Sequence, residues 1–103
     1  MNLIITARHF KLQDDLRGYI EEKSQRLNRF YEGIVDMEVI LGWEKQARYV
    51  ELIINVNNGH IVLKEVSEDL RKSFDLILDK AERQLKKHKQ KMRTKEKNKM
   101  NSA

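Results

Sequence analysis

The 103 residues carry 21 Lys and Arg against 16 Asp and Glu, a formal net charge of +5, with 40% apolar and 36% charged residues. That length fits one domain with one modest core, and the absence of Cys excludes disulfides, thiolate metal sites and Cys nucleophiles. No stretch approaches the ~20 apolar residues of a membrane span, and residues 1–7 lack the basic n-region of a signal peptide, so a soluble, cytoplasmic protein is expected.

Residues 2–7 read as a strand. A helix is expected over residues 13–31. Asp14 and Asp15 suit the positive end of its macrodipole, and Leu16, Tyr19, Ile20, Leu27, Phe30 and Tyr31 share one face at a period of 3.6. Gly33 is expected to end it. The period then drops to 2. Val35, Met37, Val39, Leu41 and Trp43 alternate with Asp36, Glu38 and Gly42, and Val50, Leu52, Ile54 and Val56 alternate with Tyr49, Glu51 and Asn55. Asn57-Asn58-Gly59 predicts a hairpin with a primed turn, because Asn and Gly accept positive φ. Residues 60–66 then pair back as the last strand. Ser67 is placed as the N-cap of a second helix. Leu70, Phe74, Ile77, Leu78, Ala81, Leu85, His88 and Met92 form one stripe, enough for a helix of about 25 residues, ~37 Å long.

The order β-α-β-β-β-α gives an α+β fold: a two-layer sandwich in which both helices cover one face of a four-stranded mixed sheet, a dsRBD-like arrangement. The first crossover should be right-handed, with strands 1 and 2 parallel, and strands 2 to 4 should form an antiparallel meander. Each helix has one apolar stripe and each strand one mainly apolar face. The other sheet face, with Asp36, Glu38 and Glu51 beside Ile40 and Ile53, should be open and mildly acidic.

Charge is distributed unevenly. Residues 80–103 hold ten Lys and Arg and two acids, whereas residues 1–79 hold 11 and 14. A cationic block on a mildly acidic domain points to a polyanion. On the second helix Lys80, Arg83, Lys87 and Lys91 make a ridge beside the apolar stripe with no acid among them. Lys86, Lys89 and Arg93 form a second row, partly neutralised by Asp75, Asp79 and Glu82. The bland reading is a solvated helix end whose cations suit the macrodipole. Against it stands the self-repulsion of the block, which a polyanionic partner relieves.

Lys23 falls in the middle of the first helix's apolar stripe, between Ile20 and Leu27. Either its stem lies on the core with a snorkelling ammonium, or it empties into an interhelical groove as a binding group, with Arg26 and Arg29 on the flank. Arg8 and His9 end the first strand, where ligands often bind in α/β sheets; a solvated turn reads equally well. His9, His60 and His88 are dispersed without metal-ligand spacing, and no phosphate loop, nucleophile elbow or triad grouping occurs. No enzyme, cofactor or metal is expected. No membrane binding is expected either, because the second helix needs its apolar face for the sheet. Nor is DNA, because no recognition helix is free of core duties. Two helices on a small sheet with a basic edge suit the shape and backbone of RNA.

Several runs carry a family resemblance: Ile5-Thr6-Ala7-Arg8-His9, Asp15-Leu16-Arg17 with Glu22-Lys23, Glu44-Lys45, Ser67-Glu68-Asp69-Leu70, Asp75, and above all the run from Asp79-Lys80-Ala81-Glu82-Arg83 through Gln84-Leu85-Lys86-Lys87-His88-Lys89. Over residues 1–92 the chain resembles the short ribosome hibernation-promoting factors, the family that includes ribosome-associated inhibitor A and sigma-54 modulation proteins. The resemblance implies a monomer in solution that binds the 30S subunit and 70S ribosome. It implies contact with 16S rRNA in the channel of mRNA and the A- and P-site tRNAs, silencing ribosomes in stationary phase or stress. It puts rRNA contacts on Arg8, Lys23, Arg26, Lys80, Arg83, Lys86, Lys87, Lys89 and Lys91, with Arg29 beside them. Ala7 stands where the family often has Gly, and Arg71-Lys72-Ser73 where it often has Tyr-Ala-Ala. Residues 1–92 are expected to form the ribosome-binding domain, and the basic tail 93–103 is expected to be disordered. The alternatives are a protein that modulates a transcription factor through the acidic sheet face, and a generic double-stranded RNA binder.

Overall fold

A computed structural model describes the backbone of residues 1–101 and the side chains of residues 1–90. The elements are β1 (Asn2–Ala7), α1 (Asp14–Phe30), β2 (Ile34–Glu44), β3 (Ala47–Val56), β4 (Gly59–Ser67) and α2 (Leu70–Asn101). The sheet order is β1-β2-β3-β4, with β1 parallel to β2 and the other pairs antiparallel. This is the expected two-layer α+β sandwich.

Alternation along the strands sorts the side chains. Met37, Val39 and Leu41 of β2 and Val50, Leu52 and Ile54 of β3 lie under the helices, each no more than 1% exposed. Ile20 and Leu27 of α1, with Phe74, Ile77, Ala81 and Leu85 of α2, close over them. Full burial of a side chain the size of Phe74 contributes roughly 1.5–3 kcal/mol. The helices run parallel. Tyr19 meets Phe74 edge-on near their starts, with centroids 6.1 Å apart, and Tyr31 meets His88 in the same way where α1 stops. Beyond His88, α2 continues past the end of α1 to Asn101.

Local details differ from the sequence expectations. Ser67 ends β4 and does not cap α2. The cap is Asp69, whose Oδ1 accepts the Arg71 N–H at 2.8 Å. Ser67 Oγ instead accepts the Asp69 N–H at 3.2 Å and meets Ser73 Oγ at 2.6 Å. α2 also runs past Met92 to Asn101, because nothing after Gly59 breaks a helix: no Gly or Pro follows. α1 ends at Phe30 with Tyr31 as its C-cap, and Gly33 instead makes room for the Tyr31 ring, 2.6 Å from where a Cβ would stand. In the β3–β4 turn positive φ occurs at Asn58 alone, at 71°, so this is not the primed turn expected.

Candidate nucleic-acid interface

The ten candidate cations separate into three places. The first is the flank of α2 that faces the β4 edge. Lys80, Arg83 and Lys87 share it at helical spacing, and Lys80 is ion-paired with Glu65 of β4. That acid lies across the sheet–helix boundary, so helix spacing alone could not show it. Among the described residues Arg83 and Lys87 have no carboxylate partner. Lys91 continues this row by spacing, but its side chain lies outside the described residues.

The position of this ridge removes one bland explanation. Because α2 ends at Asn101, Lys87 stands about four turns from its C-terminus. The macrodipole acts within the last turn and offers these cations little.

The second place is the groove between the helices, an open cleft of about 330 Å³ lined by Tyr19, Lys23 and Arg26 with Asp75, Asp79 and Glu82. Lys23 does point into it, its Nζ 5.5 Å from the Tyr19 ring centroid. Arg71 lies over the same ring at 4.5 Å. Tyr19 donates to Asp75 at 2.5 Å, and that bond raises its pKa. The α2 carboxylates thus offset the α1 cations inside the groove. Lys86 and Lys89 follow Glu82 along this flank. Arg29 is exposed in the last turn of α1.

The third place is the open face of the sheet. Arg8 shares its strand parity with Ile4 and Thr6 and so points away from the helices. It donates to Tyr49 Oη at 3.1 Å and stands 3.8 Å from Glu51; the Tyr49 bond, more than Glu51, raises its pKa. Arg8 is therefore separated by the sheet from Lys23 and Arg26. On the same face Lys64 donates to Glu44 at 3.0 Å, a bond that raises its pKa. With Arg8 and Lys64 present, and Ile4 and Val62 each more than half exposed, this face is less acidic and more apolar than expected.

Comparisons with known proteins decide the family. Residues 3–93 match the family described as Sigma 54 modulation protein / S30EA ribosomal protein. The chain belongs to this family. Over 91 residues it is 36% identical to a ribosome hibernation promoting factor of Azotobacter vinelandii, covering 88% of this chain and 85% of that protein. It is 30% identical to the protein of the same name from Escherichia coli K12, covering 90% and 98%. A solved ribosomal subunit interface protein from Coxiella burnetii superposes with a TM-score of 0.79 at 25% identity, covering 86% and 98%. The N-terminal domain of Protein Y from Thermus thermophilus gives 0.77 at 27%, covering 85% and 99%.

Within this hibernation-factor fold one cluster escaped the sequence reading. Trp43 continues the core-facing parity of β2, yet it lies beyond the helices and is 57% exposed. Its ring stacks on Phe10 from the β1–α1 connection, and the Arg48 guanidinium covers it from β3. The available signal was the position of Trp43 and Arg48 on either side of the short Lys45-Gln46 turn. No helix among the described residues is long and apolar enough to cross a membrane.

Proposed function

We propose that this protein is a non-catalytic ribosome-silencing factor that binds the 30S subunit and 70S ribosome through 16S rRNA. It occupies the channel of mRNA and the A- and P-site tRNAs, and it acts in the cytoplasm as a monomer during stationary phase or stress. The reading rests on family membership and on one observation: a ridge of cations on α2 whose Arg83 and Lys87 lack carboxylate partners among the described residues, far from the helix end that would favour them. The mechanism is steric. A folded wedge held by phosphate contacts excludes mRNA and tRNA. Arg8, Lys23, Arg26, Arg29, Lys80, Lys86, Lys89 and Lys91 supply further contacts, with the groove and the sheet face as separate patches.

Sedimentation with 30S, 50S and 70S particles over a salt series tests it. If ~6 phosphates are neutralised, log affinity falls with log salt at a slope of about −4 to −5. Comigration with 30S and 70S that Arg83→Glu with Lys87→Glu removes, with the fold intact, supports the reading. No comigration at low salt refutes it.

A second reading is supported by the exposed Ile4, Val62 and Val66 beside Glu38 on the open face: a protein contact that modulates a transcription factor. It requires a polymerase-associated partner whose capture survives RNase and high salt and weakens on Glu38→Lys or Glu51→Lys.

A further inference from the structure

At the end of the sheet where both helices begin, an open groove of about 520 Å³ runs between Phe10, Trp43 and Arg48 on one side and the first turns of α1 and α2 on the other. Its size falls in the range of ligand pockets. Phe10 and Trp43 lie nearly parallel, 13° between planes and 5.8 Å between centroids. The Arg48 guanidinium carbon lies over the Trp43 ring, 4.2 Å from its centroid.

The ions around the groove divide by occupancy. Its acids are engaged: Asp15 stands 3.8 Å from Arg71, Glu68 is 3.6 Å from Lys72, and Asp69 caps α2. Its cations Lys11 and Arg48, with Lys45 in the adjoining turn, have no carboxylate partner among the described residues. A bare anion in the groove meets those three carboxylates. A flat, neutral, π-faced group meets them without charge repulsion, and carboxylates accept from its amino and imino hydrogens. Lys11 and Arg48 line the groove, and Lys45 belongs to the turn beside it, so a charged backbone passing there would meet cations.

We infer that this groove takes an unstacked base of an RNA strand, with Phe10 and Trp43 as its stacking platform and Lys11, Lys45 and Arg48 on the adjacent phosphates. A guanidinium plane and a base plane stack on an aromatic ring in the same way. Arg48 therefore holds the place of the base in the free protein and turns to the phosphate when the base enters. The inference deepens the proposed function, supplying one base-stacking contact away from the α2 ridge.

Trp43 is the sole Trp of the chain, so its emission reports the site directly. The full chain is titrated with hexaadenylate RNA, with inorganic polyphosphate of equal charge, and with hexaglutamate. Saturable quenching by the RNA alone is expected. By anisotropy of the labelled RNA, Trp43→Ala should weaken binding ~5- to 100-fold and Trp43→Phe only about twofold. Unchanged emission at saturating RNA, equal quenching by polyphosphate, or quenching by hexaglutamate instead overturns the base site. So does unchanged RNA affinity in a folded Trp43→Ala. Ribosome sedimentation keeps the two proposals apart. Wild-type protein that comigrates while its emission ignores RNA leaves the ribosome reading standing without the base site. RNA quenching without comigration sinks the ribosome reading.

Discussion

The ring of Tyr49 lies across Gly42, its cross-strand partner, so that a Cβ on Gly42 would stand 2.3 Å from the ring. This is why a Gly sits inside β2. The close approach leaves Tyr49 only 8% exposed on the open face of the sheet, with its hydroxyl accepting from Arg8. Gly42→Ala should push the ring outward, release Arg8 and cost about 1–3 kcal/mol. In a double-mutant cycle, Tyr49→Ala should recover part of that loss. Strictly additive costs in denaturant unfolding would refute the steric account.

Ser24 is fully buried on α1, and its hydroxyl has no hydrogen-bond partner among the described residues. An orphaned polar group in a core is a net cost, and Ala is the better helix former. Ser24→Ala should therefore stabilise the fold by about 1 kcal/mol, raising Tm by roughly 4–8 °C for a domain of this size. A lower Tm would mean that the hydroxyl is satisfied in solution.

How much of this was legible in the sequence depends on where each determinant lies. The strands and most of the two apolar stripes follow from periodicities of 2 and 3.6 within single segments, and the parallel β1–β2 pair follows from the crossover rule. Phe30 and Val35, expected on apolar faces, are instead 48% and 52% exposed, with Ile34 buried at the β2 irregularity in place of Val35. The cap of α2 was misplaced by two residues because Ser67 and Asp69 are both good caps; only the geometry shows Ser67 Oγ turned toward Ser73. The Lys80–Glu65 pair, the arrival of Arg8 beside Tyr49, and the Phe10–Trp43 stack each join residues from different elements. No single-segment pattern encodes such meetings. Parity also misled for Trp43, since a core-facing position past the end of the helical layer is a surface position.

Tyr19 carries a pH dependence that can be read directly. Its hydrogen bond to Asp75, aided by partial burial, holds the phenol above its ordinary range. The folded state thus keeps this proton more tightly than the unfolded chain does. That contribution to stability is fully present below the usual tyrosine range and is lost as pH climbs through the raised folded value. Asp75→Asn should bring the phenol back down, shifting part of the phenolate absorbance to lower pH and removing that component of the alkaline decline. Superimposable titrations of the two proteins would show that the bond does not persist in solution.

The ion pair between Lys80 and Glu65 separates two roles within one ridge. Glu65 is largely covered, with 15% of its side chain exposed, whereas Lys80 is half exposed. Removing Lys80 leaves that carboxylate without its cation, so Lys80→Ala should cost roughly 0.5–1.5 kcal/mol, discounted for solvent at the lysine. Arg83→Ala touches no ion pair among the described residues and should change stability by less than about 0.5 kcal/mol. In ribosome sedimentation Arg83→Ala should lower affinity and flatten the salt slope by about 0.7–0.9, the share of one phosphate. Glu65→Gln tests Lys80 without deleting it. If Lys80 contacts phosphate, Glu65 competes for the same ammonium, and its neutralisation should tighten ribosome binding. An unchanged affinity in folded Glu65→Gln would place Lys80 outside the interface and leave the ridge to Arg83, Lys87 and the residues beyond them.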